Sequence, residues 1–370
     1  MNFGWVTTTP GYKRIPEVRD TVHRITQYGT DNLYPQRMQS VSQLSPVAKS
    51  AISLIAHFIT GNGFERGDEV INREGETAND ILRLIAQDQA LFNGYALHLN
   101  STGLGVVSEV RQIPFEFVRL GLANQSGEIR DVRVSNNWES SNSDKLPTNE
   151  LNEVKYQIFN HYQNGTEALT TAKGMVLYAT PKKNCYPLSA IDPIIETCQA
   201  DHELAVFELG NITNGFLSMS IFKYPGGSDM EAEKQALSDK LNQLKGAKNA
   251  NSILVASVDE DWEGGNLVEN IPANNNDTLF AQTTINTRNR IVQSMGVLPS
   301  MIGIMPEGSV FTSVQMADSY TYMNLRTKEI RNNIQRQFQK LGLDVGRIIP
   351  NQYESSQMLD DNQPADAVTA

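Results

Sequence analysis

The reading of the chain turns on Val297-Leu298-Pro299-Ser300-Met301-Ile302-Gly303-Ile304-Met305-Pro306-Glu307-Gly308-Ser309-Val310-Phe311-Thr312. This run is apolar, has Glu307 as its one charge, is broken by Pro299, Gly303, Pro306 and Gly308, and follows Gly296. A surface loop is normally polar because its backbone faces water. A loop this apolar is expected to line something or to pack against neighbouring copies. Upstream, the pattern predicts a helix from about Asp277 to Met295, stopped by Gly296. Downstream, Met316, Tyr320, Met323, Thr327, Ile330, Ile334, Phe338 and Leu341 recur every three or four residues. At 100° per residue they form one stripe of a long helix, with Ser313 as its expected N-cap and Gly342 just past its end.

Further out, Ser45-Pro46 opens a helix with an apolar face on Val47, Ala51, Ile52, Ile55, Phe58 and Ile59, ended by Gly61. A second helix is expected from Thr77 to Gly94. The period then shortens to two, which predicts strands over 95–99, 105–113, 116–122, 129–134, 154–162 and 174–180. Residues 1–44 read as an arm without periodicity. Residues 1–185 together read as an α+β domain whose antiparallel sheet follows its helices.

Residues 187–214 return to helix, with Ile194, Cys198, Ala205, Leu209 and Ile212 expected on a buried stripe. Every charge there is acidic: Asp192, Glu196, Asp201, Glu203 and Glu208. A solvated face explains such a run; the specific alternative is a helix presenting negative charge to a passing polyanion. Residues 215–273 read as a compact insert of strands at 216–224, 252–258 and 266–271, with a helix over 229–244. The tail after Pro350 is polar and acidic, a composition that favours disorder.

The 370 residues allow two or three domains, and 39% hydrophobic residues suffice for a core without disulfides. A formal charge of −11 argues against a nucleic-acid binder with a basic face. Two cysteines, Cys185 and Cys198, are too few for a disulfide framework and suggest a reduced setting. There is no run of about 18 apolar residues and no signal-peptide pattern at the start. The five histidines have no ligand spacing, and no phosphate-binding loop or nucleophile elbow occurs. No catalytic, cofactor or metal site is therefore expected.

The order of parts, with the words Tyr28-Gly29-Thr30-Asp31-Asn32-Leu33-Tyr34-Pro35, Ile59-Thr60-Gly61-Asn62-Gly63-Phe64, Phe207-Glu208-Leu209-Gly210-Asn211-Ile212-Thr213-Asn214-Gly215-Phe216 and Gly296 to Gly303, resembles the portal proteins of tailed bacteriophages. The resemblance spans roughly residues 28–341. It implies an α+β wing (1–188), a first stem helix (189–214), a clip (215–275), a second stem helix (276–296), a tunnel loop (297–312), a long wing helix (313–345) and a polar tail (346–370) in place of a crown.

By the same resemblance the chain forms a ring, commonly of twelve copies, at the capsid vertex. Double-stranded DNA would pass through it during packaging and ejection. The implied partners are the large terminase, the major capsid protein and a head-tail adaptor. No membrane and no cofactor are implied, and the location is the virion, after assembly in the host cytoplasm. Met301, Ile304, Met305, Glu307, Ser309, Val310 and Phe311 would face the channel from the tunnel loop. Asp192, Glu196, Glu203 and Glu208 would face it from the stem. The rival readings are another connector or adaptor ring and, from a different class, a nucleic-acid-processing enzyme.

Overall fold

The computed structural model describes residues 18–102, 106–125, 127–138, 153–159, 174–181, 186–214, 219–225, 252–258, 268–271, 277–304 and 312–353. The chain forms two compact units: Met1–Ile195 with Val292–Ala370, and Glu196–Ile291 between them.

The first unit opens with two short strands, β1 (Arg19–Asp20) and β2 (Ile25–Thr26). Helix α1 (Tyr34–Leu44) follows, inside the region read from sequence as an arm. It has a proline in its first turn and no side-chain cap, and it buries only Tyr34, Pro35, Met38, Val41 and Ser42. Helix α2 (Pro46–Thr60) begins at the expected cap, where the Ser45 side chain accepts the Ala48 N–H. Helix α3 (Ala78–Phe92) starts with a Thr77–Asp80 capping box, which satisfies two orphan donors at once.

The sheet contains β3 (Tyr95–Ser101), β4 (Val107–Ile113), β5 (Val118–Gly121), β6 (Asp131–Val134), β7 (Val154–Ile158) and β8 (Met175–Ala179). Its order is β1-β2-β5-β6-β7-β8-β3-β4. All six strands read from the period-two pattern are present. The pairing departs from the expectation at one place: β7 and β8 run parallel, with Gln157 opposite Met175, and every other neighbour is antiparallel. Strand β3 is buried at Tyr95, Ala96, Leu97 and Leu99, so its start is covered on both faces.

Helix α4 (Ile195–Asn214) leads into the second unit, which holds β9 (Met219–Pro225), β10 (Ser252–Val258) and β11 (Val268–Ile271). Strand β9 is central, parallel to β10 and antiparallel to β11. The helix expected over 229–244 lies outside the described residues. Helix α5 has the bounds read from the sequence, Asp277–Met295.

The first unit is completed by α6 (Ser313–Lys340), capped one residue earlier than expected by a Thr312–Gln315 box. Met323, Thr327, Ile334, Phe338 and Leu341 of the stripe are buried. Arg331, a charged residue outside the stripe, is buried with them. Its guanidinium donates to the carbonyls of Phe58 (2.7 Å) and Asn324 (2.8 Å), so the charge reinforces the packing of α6 on α2. Phe338 meets Phe64 with ring centroids 5.0 Å apart.

Beyond α6 the chain returns to the end of α2. The N–H groups of Asn62, Glu65 and Arg66 donate to the carbonyls of Ile349, Arg347 and Val345, and Ile349 N–H donates to Gly63. Asn351 then donates its side-chain amide to the His57 carbonyl at 3.2 Å. Residues 343–353 are thus a strap held by backbone bonds, where the sequence showed only the approach to a polar tail. Residues 354–370 of that tail lie outside the described residues.

Candidate functional site

The word Tyr28 to Pro35 forms a socket for the segment that enters α4. Asn32 takes a left-handed φ of 59° and is fully buried. Its side-chain oxygen accepts the Tyr28 N–H at 3.0 Å and Arg119 Nε at 2.6 Å. Arg119 also donates to the carbonyls of Asn32 (2.6 Å) and Glu116 (2.9 Å). Its guanidinium lies 5.1 Å from the Trp138 ring and 5.7 Å from the Tyr28 ring. Burial lowers the Arg119 pKa to about 10, which leaves it charged at neutral pH. A buried charge is tolerated because its donors are met by several oxygens.

Tyr28 stacks on Tyr186 at 3.9 Å and on Tyr34 at 5.1 Å between ring centroids. Tyr34 donates its hydroxyl to Asp192 Oδ1 at 2.9 Å and accepts the Ser189 N–H at 3.1 Å. Burial raises the Tyr34 pKa, and the Asp192 carboxylate raises it further, so the phenol stays a donor across the working pH range. The segment before α4 is therefore fixed to the first unit by aromatic stacking and a charge-assisted hydrogen bond.

Within the second unit, α4 and α5 pack antiparallel. Phe207 meets Phe280 with centroids 4.6 Å apart, Arg288 Nε lies 3.8 Å from Asp201 Oδ1, and Thr284 Oγ1 lies 3.5 Å from Glu208 Oε1. Cys198 is buried, and burial raises its thiol pKa to about 11.

After α5, Gly296 turns the chain at φ 60°, and its carbonyl accepts Arg326 Nη1 at 2.6 Å. A Cβ at Gly296 would come within 1.5 Å of that nitrogen. Val297 is buried. Pro299–Ile302 form a 3-10 turn closed by Gly303 at φ 81°. The apolar loop is thus tied to α6 at its start.

The expected site residues fall into distinct places. Met301 and Ile304 are half-buried in and just after the 3-10 turn. Met305, Glu307, Ser309, Val310 and Phe311 lie outside the described residues. Glu196, Glu203 and Glu208 are exposed on α4, whereas Asp192 is buried with Tyr34 as its partner and does not share their surface. Glu196 and Glu203 lie about 20° apart around the helix, while Glu208 is turned toward α5. The expected apolar stripe of α4 is also revised. Ile194 and Cys198 are buried, but Ala205 is exposed and Leu209 is 63% exposed; Ile212 lies outside the described side chains. Sequence reading missed Arg119, Asn32 and Tyr186, because polar and aromatic residues scattered over 150 positions leave no period to detect.

Among the described residues no cluster of three or more His, Cys, Asp or Glu could hold a metal ion. No described helix is long and apolar enough to cross a membrane.

No protein-family model and no curated protein matches the sequence. Solved structures do match by fold. A chain of the virion of native gene transfer agent particle aligns with TM-score 0.55 and 12% identity, over 89% of this chain and 87% of that one. A chain from the neck of the native particle, computed with C12 symmetry, aligns with TM-score 0.56 and 12% identity over 88% and 87%. A chain from the neck of the empty particle, computed with C6 symmetry, gives TM-score 0.56 and 12% identity over 89% and 88%. An HK97-family phage portal protein from Corynebacterium diphtheriae aligns at TM-score 0.44 and 10% identity, over 88% and 99%, a likeness too low to argue from. The chain has the mixed α+β fold of the gene transfer agent chains over most of its length.

Proposed function

We propose that this chain is a portal subunit: a structural, non-enzymatic protein that repeats side by side into a ring at a capsid vertex. Double-stranded DNA passes through the ring during packaging and ejection. The observation that carries this reading is the fold shared, over nearly nine-tenths of each chain, with chains of a particle neck computed with C12 and with C6 symmetry. The helix pair α4 and α5 supports it. In sequence the pair brackets a small three-stranded sheet, and the segment before α4 is fixed within the first unit by the Tyr34–Asp192 bond.

On this reading α4 and α5 are the stem, roughly 30 Å long at 1.5 Å per residue. The small sheet unit is the clip that docks the terminase motor and later the neck, and residues 297–312 are the tunnel loop. A ring of such chains multiplies a formal charge of −11, so the assembly as a whole does not grip phosphate.

The test is electron microscopy of the purified full chain and of the particles it belongs to. Rings with a central hole and rotational symmetry are expected, placed at one capsid vertex. A protein that stays monomeric at high concentration and is absent from particle vertices would remove the reading. Cleavage of DNA or hydrolysis of nucleotide by the pure protein would favour the enzymatic alternative.

A further inference from the structure

The two described helices of the second unit differ in charge. Helix α4 carries Glu196, Asp201, Glu203 and Glu208 with no lysine or arginine. Helix α5 from Phe280 onward carries Arg288 and Arg290 and no carboxylate. Its contacts with α4 run through Phe280, Thr284 and Arg288. At 100° per residue, Gln282, Asn286 and Asn289 fall on the side of α5 opposite those contacts.

These three residues form a stripe of carboxamides about 10 Å long. Gln282 and Asn286 are exposed and Asn289 is half-exposed. Gln282 already orients Asn286, donating from Nε2 to Oδ1 at 3.1 Å. Arg290 is exposed beside the stripe and has no ion-pair partner among the described residues. By contrast, Glu196 and Glu203 sit to the side of α4, about 100° from the line facing α5.

We infer that the carboxamide stripe Gln282-Asn286-Asn289, flanked by Arg290, is the surface that the duplex slides along, and that the carboxylates of α4 do not face it. The inference rests on the portal reading above and selects, within the stem, which helix meets the phosphates. A side-chain amide donates to a phosphate oxygen without bringing a charge. It displaces no condensed counterion, so each contact is weak and nearly independent of salt. One arginine per copy adds a modest attraction to the phosphates. Carboxylates in the same place would repel the polyanion and leave it without any hydrogen-bonding wall.

The test places p-benzoylphenylalanine at Asn286 or at Glu203 in the full chain. Purified rings threaded with linear duplex DNA are irradiated, and the protein–DNA crosslink is quantified. The expected result is a crosslink several-fold stronger from position 286 than from 203. A stronger crosslink from 203 would overturn the inference while leaving the portal reading standing. Equal crosslinks from both positions would also overturn the inference, and protein that forms no rings would remove the portal reading and the inference with it. Asn286→Lys and Glu203→Lys supply a second readout. The former is expected to slow DNA release and make it salt-dependent, since it adds one phosphate contact per copy. The latter is expected to leave release unchanged, and the reverse pattern would count against the stripe.

Discussion

Tyr34 and Asp192, 158 residues apart in sequence, are joined by a 2.9 Å hydrogen bond that fixes the entry to α4. Because Asp192 is buried, losing its phenol donor costs more than an exposed bond would. Tyr34→Phe is expected to destabilise the chain by about 1–3 kcal/mol in denaturant melts. Unchanged stability would mean that the remaining contacts of Asp192 suffice.

Asp88 gives a pH dependence of known sign. Its carboxylate accepts from Gln112 Nε2 at 2.6 Å and from the Phe115 N–H at 3.3 Å, yet burial dominates and raises its pKa from 3.8 to about 7. The folded state therefore binds a proton that the unfolded state has lost between those values. Stability from this group is full below about pH 4 and declines until about pH 7. Asp88→Asn is expected to flatten the melting temperature across that window. An identical slope in the variant would assign the pH dependence to other groups.

Arg331 is expected to hold α6 by hydrogen bonding as well as by packing. Arg331→Met keeps the volume but removes donors to Phe58 and Asn324, a loss of about 2–3 kcal/mol by the usual strength of charged hydrogen bonds. Arg331→Lys should recover only part of this, because an ammonium cannot span both carbonyls as a planar fork does. Full recovery by lysine would show that one bond carries the effect.

Gly61 closes α2 at φ 58°, and a Cβ there would lie 2.1 Å from the Ile349 carbonyl oxygen. Gly61→Ala should open the strap and expose residues 343–353 to proteolysis ahead of the rest of the unit. Equal protection in limited digestion would contradict this.

Deletion of residues 305–311 leaves Val297, the 3-10 turn and the Thr312 cap in place. Ring assembly should persist while DNA retention falls. Loss of soluble folded protein on deletion would place those residues in the core.

Much of the fold was legible in the sequence because burial imposes a period. The ends of α5, the stripe of α6 and six strands of the large sheet follow from apolar spacing and from the glycines that stop each run. Helix α1 left no such trace, since Met38 and Val41 are its only buried aliphatic residues and nothing caps it. The strap is held by backbone groups, to which side-chain patterns are blind. Sequence places Asp192 with the exposed acids because helical projection gives direction and not environment. A tyrosine 158 positions away decides its surroundings. The α4 stripe failed at Ala205 and Leu209 for a related reason, since apolar spacing marks a face without saying whether the same chain covers it.

The strap has a consequence for biosynthesis. The amides of Asn62, Glu65 and Arg66 find their acceptors only at Ile349, Arg347 and Val345. The turn that follows α2 is therefore completed only once residues 345–349 have been synthesised. Glu196–Ile291 is by contrast one uninterrupted stretch of sequence. The strap thus makes the first unit's framework depend on chain made after the whole of the inserted unit.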